Sequence, residues 1–161
     1  MYALNTLATR RATPDDDMTV AALWRKSWAS ANSWATELAP LEVWLERVRA
    51  EFRAPPKEMV LSLDEQGGVN GFMVIDLLRG YVDQLFIDTD FQGHGLGGAL
   101  LDVACQRMPH GWTLHVGRAN MGAQRFYAQY GLSRGALSLD PKSGRERLAY
   151  RWNSDSEFKS F

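Results

Sequence analysis

The sequence holds one cysteine, Cys105, in 161 residues. A single chain therefore cannot close an internal disulfide, and a cage of cysteine ligands around a metal is excluded; no metal site is expected. No apolar run comes near the ~20 residues that a membrane-spanning helix needs, and Met1–Arg10 carries no apolar core of the signal-peptide kind. An excess of either charge is missing too. The formal net charge is −1, so no long-range field draws the chain to nucleic acid or to an anionic membrane. Two further absences are local: no Lys or Arg lies between Arg79 and Arg107, and no Asp or Glu lies from Val103 to Leu139. Repeats, linkers and low-complexity tracts are absent as well. What remains is 45 % apolar and 23 % charged, an ordinary globular composition in a length that suits one domain. The expected domain covers residues 4–152, with residues 153–161 as a polar, frayed tail. A cytoplasmic enzyme fits these limits.

Periodicity divides the chain into a mixed α/β order. Leu7–Arg11 reads as a short strand. Thr13-Pro14-Asp15-Asp16-Asp17 then starts a helix, with a capping Thr, a Pro suited to the first turn and acids at the positive end of the dipole. That helix runs through Val20, Trp24 and Trp28 to about Ser30. After a polar link, Leu41, Trp44, Leu45, Val48 and Phe52 mark one face of a second helix, stopped by Pro55-Pro56. The period then changes. Met59–Leu63, Val69–Asp76 and Tyr81–Ile87 are strand-length runs joined by short turns, which predicts an antiparallel meander. A third helix follows Gly95, with Leu96, Leu100, Val103 and Ala104 on one face. Trp112–Val116 is the next strand, and the helix between it and Tyr81–Ile87 makes these two strands a parallel pair. Asn120 caps a fourth helix that Gly131 ends, and Leu132–Leu139 with Arg145–Trp152 form a last hairpin. The predicted fold is a mostly antiparallel sheet of six to seven strands with a central parallel pair and flanking helices.

Gln92-Gly93-His94-Gly95-Leu96-Gly97-Gly98 sits between a strand and a helix. Glycines there allow a tight turn and a close approach of backbone to ligand, and a helix N-terminus presents amides with no helical partner. Such a turn binds phosphate or pyrophosphate with no cationic side chain, which matters in a stretch that has none. Gly93, Gly95 and Gly98 also match G-x-G-x-x-G, the dinucleotide fingerprint. Asp88–Gln92 intervenes between the strand and the first glycine, however, and the acid expected ~20 residues later for the ribose is missing. No Gly-Lys-Ser/Thr follows, so a P-loop is excluded. Glycines serving only a tight turn and close packing remain the plain alternative.

Two motifs together resemble the GNAT superfamily of N-acetyltransferases. The first is a hydrophobic strand, a turn and Q/R-x-x-G-x-G/A opening a helix, here Leu85-Phe86-Ile87-Asp88 followed by Gln92-Gly93-His94-Gly95-Leu96-Gly97. The second is N-x-x-A-x-x-F-Y-x-x-x-G-F, matched by Asn120, Ala123, Phe126, Tyr127 and Gly131, with Leu132 in place of the final Phe. The resemblance implies a GNAT-like fold whose sheet is splayed between the Tyr81–Ile87 and Trp112–Val116 strands, with acetyl-CoA as co-substrate and its pantetheine arm in the gap. It implies that backbone amides of Gln92, Gly93, His94, Gly95, Leu96 and Gly97 hold the pyrophosphate. It implies as well that Leu85 and Ile87 pair their main chain with the arm, and that Asn120 hydrogen-bonds along it. His94 then lines the phosphate site.

Thioester aminolysis builds negative charge on the carbonyl oxygen and then on sulfur. A main-chain N–H near Phe86 or Ile87 suits the first. For the second, the resemblance places Tyr127 as general acid, and a phenol with a pKa of ~10 stays protonated at neutral pH. Tyr130 is the nearest rival but has the wrong spacing from Asn120. The base has two candidates: Asp83, which strand alternation puts on the face of Leu85, and His115 on the neighbouring strand. Cys105, on a helix, reads as a small core residue, so direct transfer in a ternary complex is expected rather than a covalent enzyme intermediate. The acceptor is a primary amine, expected to be a small molecule. Trp34, stranded in the polar link, is the candidate lining or lid of its site, and Asp88 and Asp90 are charges able to attract a cationic amine. A non-catalytic acyl-CoA-binding module of the same fold is the competing reading. Acyl length and oligomeric state stay open, a homodimer included.

Overall fold

In the computed structural model, residues 8–154 are described. Leu7, residues 4–6 and most of the expected tail lie outside them. The first helix begins as the sequence predicts. Asp16 accepts the Thr13 backbone N–H at 2.7 Å and is gripped by Arg10 at 2.8 Å. A single 3-10 turn at Pro14–Asp16 leads from there into α1, Asp17–Ala31. The second helix is shorter than its apolar face suggests. α2 covers Leu41–Arg47, and Val48–Phe52 widens into a π-type turn that keeps Val48 and Phe52 wholly buried. Arg49 of this turn and Arg53 just after it reach back to Asp17 at the start of α1.

The strands are β1 (Ala8–Arg11), β2 (Lys57–Leu63), β3 (Val69–Asp76), β4 (Tyr81–Ile87), β5 (Trp112–Gly117), β6 (Ser133–Leu139) and β7 (Glu146–Trp152), with α3 (Leu96–Arg107) and α4 (Met121–Tyr130) interleaved. They form one seven-stranded sheet in the order β1-β2-β3-β4-β5-β7-β6. Every pairing is antiparallel except β4 with β5. The C-terminal hairpin is present, but β7 rather than β6 lies against β5.

Each face of the sheet has its own core. On one, Phe72, Val74, Met59 and Leu61 meet Val20, Trp24, Trp44 and Phe52 of the first two helices. Trp24 stands edge-on to Trp44 at 4.8 Å, and Phe72 lies between Phe52 and Phe86 at 6.0 and 5.7 Å. Aromatic surfaces of this size dominate local burial. On the other face, Met73, Ile75, Val82, Leu114, Val116 and Tyr150 pack with Leu100, Leu101, Ala104 and Tyr127. A bulge interrupts β4. Val74 faces Gln84 while Ile75 faces Val82, which leaves Asp83 as the extra residue. Beyond it the alternation is reversed, so Val82 joins the core of Leu85 and Ile87, and Tyr81 turns to the opposite face.

Candidate active site

The site is built around a gap in the sheet. β4 and β5 share a single register pair, Tyr81 with Thr113, closed by the Thr113 N–H donating to the Gly80 carbonyl at 2.9 Å. From there toward their C-terminal ends the strands part, and Asp83–Ile87 are half-buried rather than buried. An inner strand edge left unpaired offers free N–H and C=O groups that some partner has to satisfy. Leu85 and Ile87 turn their main-chain groups to this edge, while Phe86, paired with Phe72 in the register that bonds Asp88 N–H to Asn70 O, turns its own to β3. The Ile87 carbonyl already accepts from the Ser27 hydroxyl at 3.3 Å and the Gln92 side chain at 3.4 Å.

The C-terminal end of β4 runs through a 3-10 turn at Thr89–Phe91 into the glycine turn. Gly93 and Gly95 take φ of 85° and 77°, values that a side chain disfavours. Gly95 caps α3, and the helical ladder begins with Ala99 N–H to Gly95 O at 3.1 Å. The amides of Leu96, Gly97 and Gly98 thus precede the ladder, where a helix presents partial positive charge. A Cβ at Gly97 would come within 2.8 Å of the Phe126 ring, so this glycine lets α4 close on α3. Gln92, Gly93, His94 and Gly95 are exposed and Leu96 is buried. The residues suit a diphosphate: open amides at a helix start, with space beside Gly93. Asn120 caps α4, its side-chain oxygen accepting from Ala123 N–H at 3.1 Å. The cap uses the oxygen and leaves the amide N–H groups as donors.

Tyr127 is 8 % exposed, in ring contact with Phe126 at 5.0 Å and Tyr150 at 6.0 Å. Burial pushes its phenol well above the ordinary range, so it carries its proton at every physiological pH. Tyr130 is committed elsewhere: its hydroxyl donates to Asp102 at 2.5 Å and lies 3.6 Å from Cys105 Sγ, clasping α4 to α3.

On the opposite face the expected groups are placed differently. Asp83, in the bulge, is ion-paired with Lys57 at 2.9 Å. His115 Nδ1 instead meets the Tyr81 hydroxyl at 2.6 Å, a contact hidden from the sequence because it joins different strands. Burial, then Arg147, hold His115 below its usual range, and burial raises Tyr81. Asp88 and Asp90 are both bound by Lys26, at 2.8 and 3.1 Å, so one ammonium offsets about half of their charge within the protein. Trp34 is 54 % exposed, edge-on to Trp28 at 5.7 Å. The Arg145 guanidinium lies 3.3 Å from its ring centroid, which joins the α1–α2 link to the β6–β7 hairpin.

Among the described residues no helix is long and apolar enough to cross a membrane. The sequence profile of the Acetyltransferase (GNAT) family matches residues 20–132. A peptidyl-lysine N-acetyltransferase, YjaB of Salmonella typhimurium, is 31 % identical over 123 residues, 76 % of this chain and 80 % of that protein. The apo solution structure of YjaB from Escherichia coli superimposes with a TM-score of 0.73 at 24 % identity, over 91 % of this chain and 97 % of the other. PaiA N-acetyltransferase of Thermoplasma acidophilum, solved in complex with coenzyme A, gives a TM-score of 0.69 at 15 % identity over 91 % and 99 %. With the motifs, the parted strands and the glycine-started helix in agreement with these matches, the chain belongs to the GNAT family of acetyltransferases, enzymes whose co-substrate is acetyl-CoA.

Proposed function

We propose that the chain acetylates a primary amine by direct attack in a ternary complex, with Tyr127 as the acid at sulfur. The observation that carries this reading is the gap itself: one pairing, Tyr81–Thr113, then an open β4 edge leading to a glycine-capped helix. Amides of Gln92, Gly93, His94, Gly95, Leu96 and Gly97 hold the diphosphate. Main-chain groups of Leu85 and Ile87 hold the arm, with the Ser27-bound Ile87 carbonyl the less available, while Phe86 contributes its place between them, and Asn120 donates from its side-chain amide. Acetyl-CoA supplies an acetyl group activated as a thioester. In the transfer a C–N bond forms, the C–S bond breaks, and the departing sulfur takes a proton for which Tyr127 is the donor. Of the two main-chain N–H groups expected there, that of Ile87 faces the gap and stabilises the oxyanion, since Phe86 turns to β3.

The lysine side chain is the first acceptor to test, because a relative at 31 % identity is a peptidyl-lysine N-acetyltransferase. The space between the α1–α2 link and the β6–β7 hairpin, spanned by Trp34 and Arg145, is where we place it. The cytoplasm supplies both substrates and is the location that suits the activity. Thermal unfolding with acetyl-CoA and with longer acyl-CoAs tests the donor site. A ligand at 100 times its Kd stabilises the native state by about 2.7 kcal/mol. Release of free coenzyme A with lysine peptides, polyamines and amino acids then tests the reaction. Binding without turnover on every amine would leave a non-catalytic acyl-CoA module, and no binding of any coenzyme A thioester would end the proposal.

A further inference from the structure

We propose that Tyr81 and His115 form a proton relay on the acceptor side of the β4–β5 gap, in which the Tyr81 phenol oxygen takes a proton from the acceptor amine as its own proton passes to His115 Nδ1. The inference rests on the acetyl-transfer reading above and names the base of that site.

Three observations meet at this pair. The first is position: Tyr81 and Thr113 close the gap, so a chain laid along β4 from the glycine turn ends its run beside them. The second is orientation. With unbroken alternation Tyr81 would share the face of Leu85 and Ile87. The Asp83 bulge turns it to the other face, where Thr113 and His115 of β5 also point, since Trp112, Leu114 and Val116 occupy the Tyr127 side. A bulge re-aims a side chain at the expense of ladder pairing, and here the residue it re-aims meets a histidine at 2.6 Å. The third is the state of the rival. Asp83 is held by Lys57 at 2.9 Å, a carboxylate already paired with a cation.

The charges around the pair come from every element against it. Arg79, in the β3–β4 turn, sits 4.7 Å over the Tyr81 ring. Arg147 of β7, Asp140 of the hairpin and Asp83 of β4 also act on Tyr81 and His115, and Arg151 of β7 stands across from Thr113 on the same face. Arg147 is itself balanced in part by Asp140 at 4.0 Å. With His115 held below its usual range, the imidazole is neutral at neutral pH and Nδ1 is free to accept. The same arginines act on an ammonium brought to Tyr81, so donor and acceptor pKa values move in one direction. The protons balance. An ammonium loses one proton through Tyr81 to His115 Nδ1, the imidazolium releases one to water from Nε2, and exchange of the ring proton with water restores the tautomer with Nδ1 free. The second N–H proton, lost as the C–N bond forms, goes to the Tyr127 oxygen and restores the phenol that has given its proton to sulfur.

Two readouts test the relay. Long-range proton–nitrogen NMR of the full chain without substrate should show neutral His115 with Nδ1 unprotonated, and Tyr81→Phe should raise its titration midpoint. In turnover of acetyl-CoA with a lysine-containing peptide, Tyr81→Phe and His115→Asn should each lower kcat by about 100-fold, with KM for acetyl-CoA unchanged. The acidic limb of kcat/KM should coincide with the NMR midpoint and vanish in His115→Asn, which keeps an oxygen for the Tyr81 hydroxyl yet cannot titrate. A protonated Nδ1 in the free protein overturns the relay. So does an acidic limb that survives in both variants, or one removed by Asp83→Asn instead. An absence of any thermal shift with acetyl-CoA would strike the transfer reading itself, a result distinct from all of these.

Discussion

On either side of the β4–β5 gap the sheet presents two different environments a few ångströms apart. One face carries Leu85, Ile87, Leu114 and Val116 with Tyr127, packed under α3 and α4. The other carries Tyr81 and His115, with Arg79, Arg147, Asp140 and Asp83 acting on them. The first is dry, so a phenol there holds its proton until a stronger base appears beside it. The second is polar and half-buried, so a proton collected there has a route to water. In the transfer we propose, the acid Tyr127 and the base Tyr81 are both phenols, and they differ because the sheet between them sets their surroundings.

The largest effect expected from this contrast is on the dry face. Tyr127→Phe should lower kcat by about 100- to 10,000-fold with acetyl-CoA affinity retained, as measured by steady-state kinetics and calorimetry. Its thermal midpoint should change little, because the substitution removes one oxygen and keeps the ring packed against Phe126 and Tyr150. Adjacent residues of β5 separate the two faces by stability alone. Leu114 is 2 % exposed, and Leu114→Ala should cost about 2–5 kcal/mol. Thr113→Ala, one residue away on the polar face, should fall within about 0.5 kcal/mol. Urea unfolding of both variants decides the matter, and equal losses would erase the distinction. Next in size is Gly95→Val. A left-handed φ of 77° costs a side-chain-bearing residue about 1–2 kcal/mol. A turn that relaxes to escape it withdraws its amides, so acetyl-CoA affinity should fall by about tenfold or more.

Much of this could be read from the residues. Every strand and helix was visible to within a few positions, because apolar spacing, the Pro14 start, the Asn120 cap and the Gly131 stop are all local signals. The glycine turn was visible for the same reason. What escaped was non-local. Nothing in Tyr81-Val82-Asp83-Gln84-Leu85 announces a bulge, since alternation on either side of it looks regular, and the expectation that Asp83 shares the face of Leu85 assumed that regularity. The pairing of Lys57 with Asp83, of Lys26 with Asp88 and Asp90, and of Tyr81 with His115 depends on which strands become neighbours. The widening of α2 into a π-type turn likewise reflects the burial of Val48 and Phe52 against the sheet rather than any local breaker.

The smallest predicted effect belongs to the outer edge of the polar face. Trp34 is half exposed, in a link with no helical face to bury it, yet its ring is stacked by Arg145 from the far hairpin. Exposed cation–π pairs are worth about 0.5–1 kcal/mol, too little to hold the fold and enough to bias how two loops stand. Trp34→Ala and Arg145→Ala should therefore leave the unfolding midpoint near that of the parent while raising KM for the acceptor and not for acetyl-CoA. A double-mutant cycle on kcat/KM isolates the contact, and a coupling of about 0.5–1 kcal/mol is expected. If both single variants instead altered acetyl-CoA binding, the link and hairpin would belong to the donor side. The division of labour between the two faces would then have to be redrawn from its rim inward.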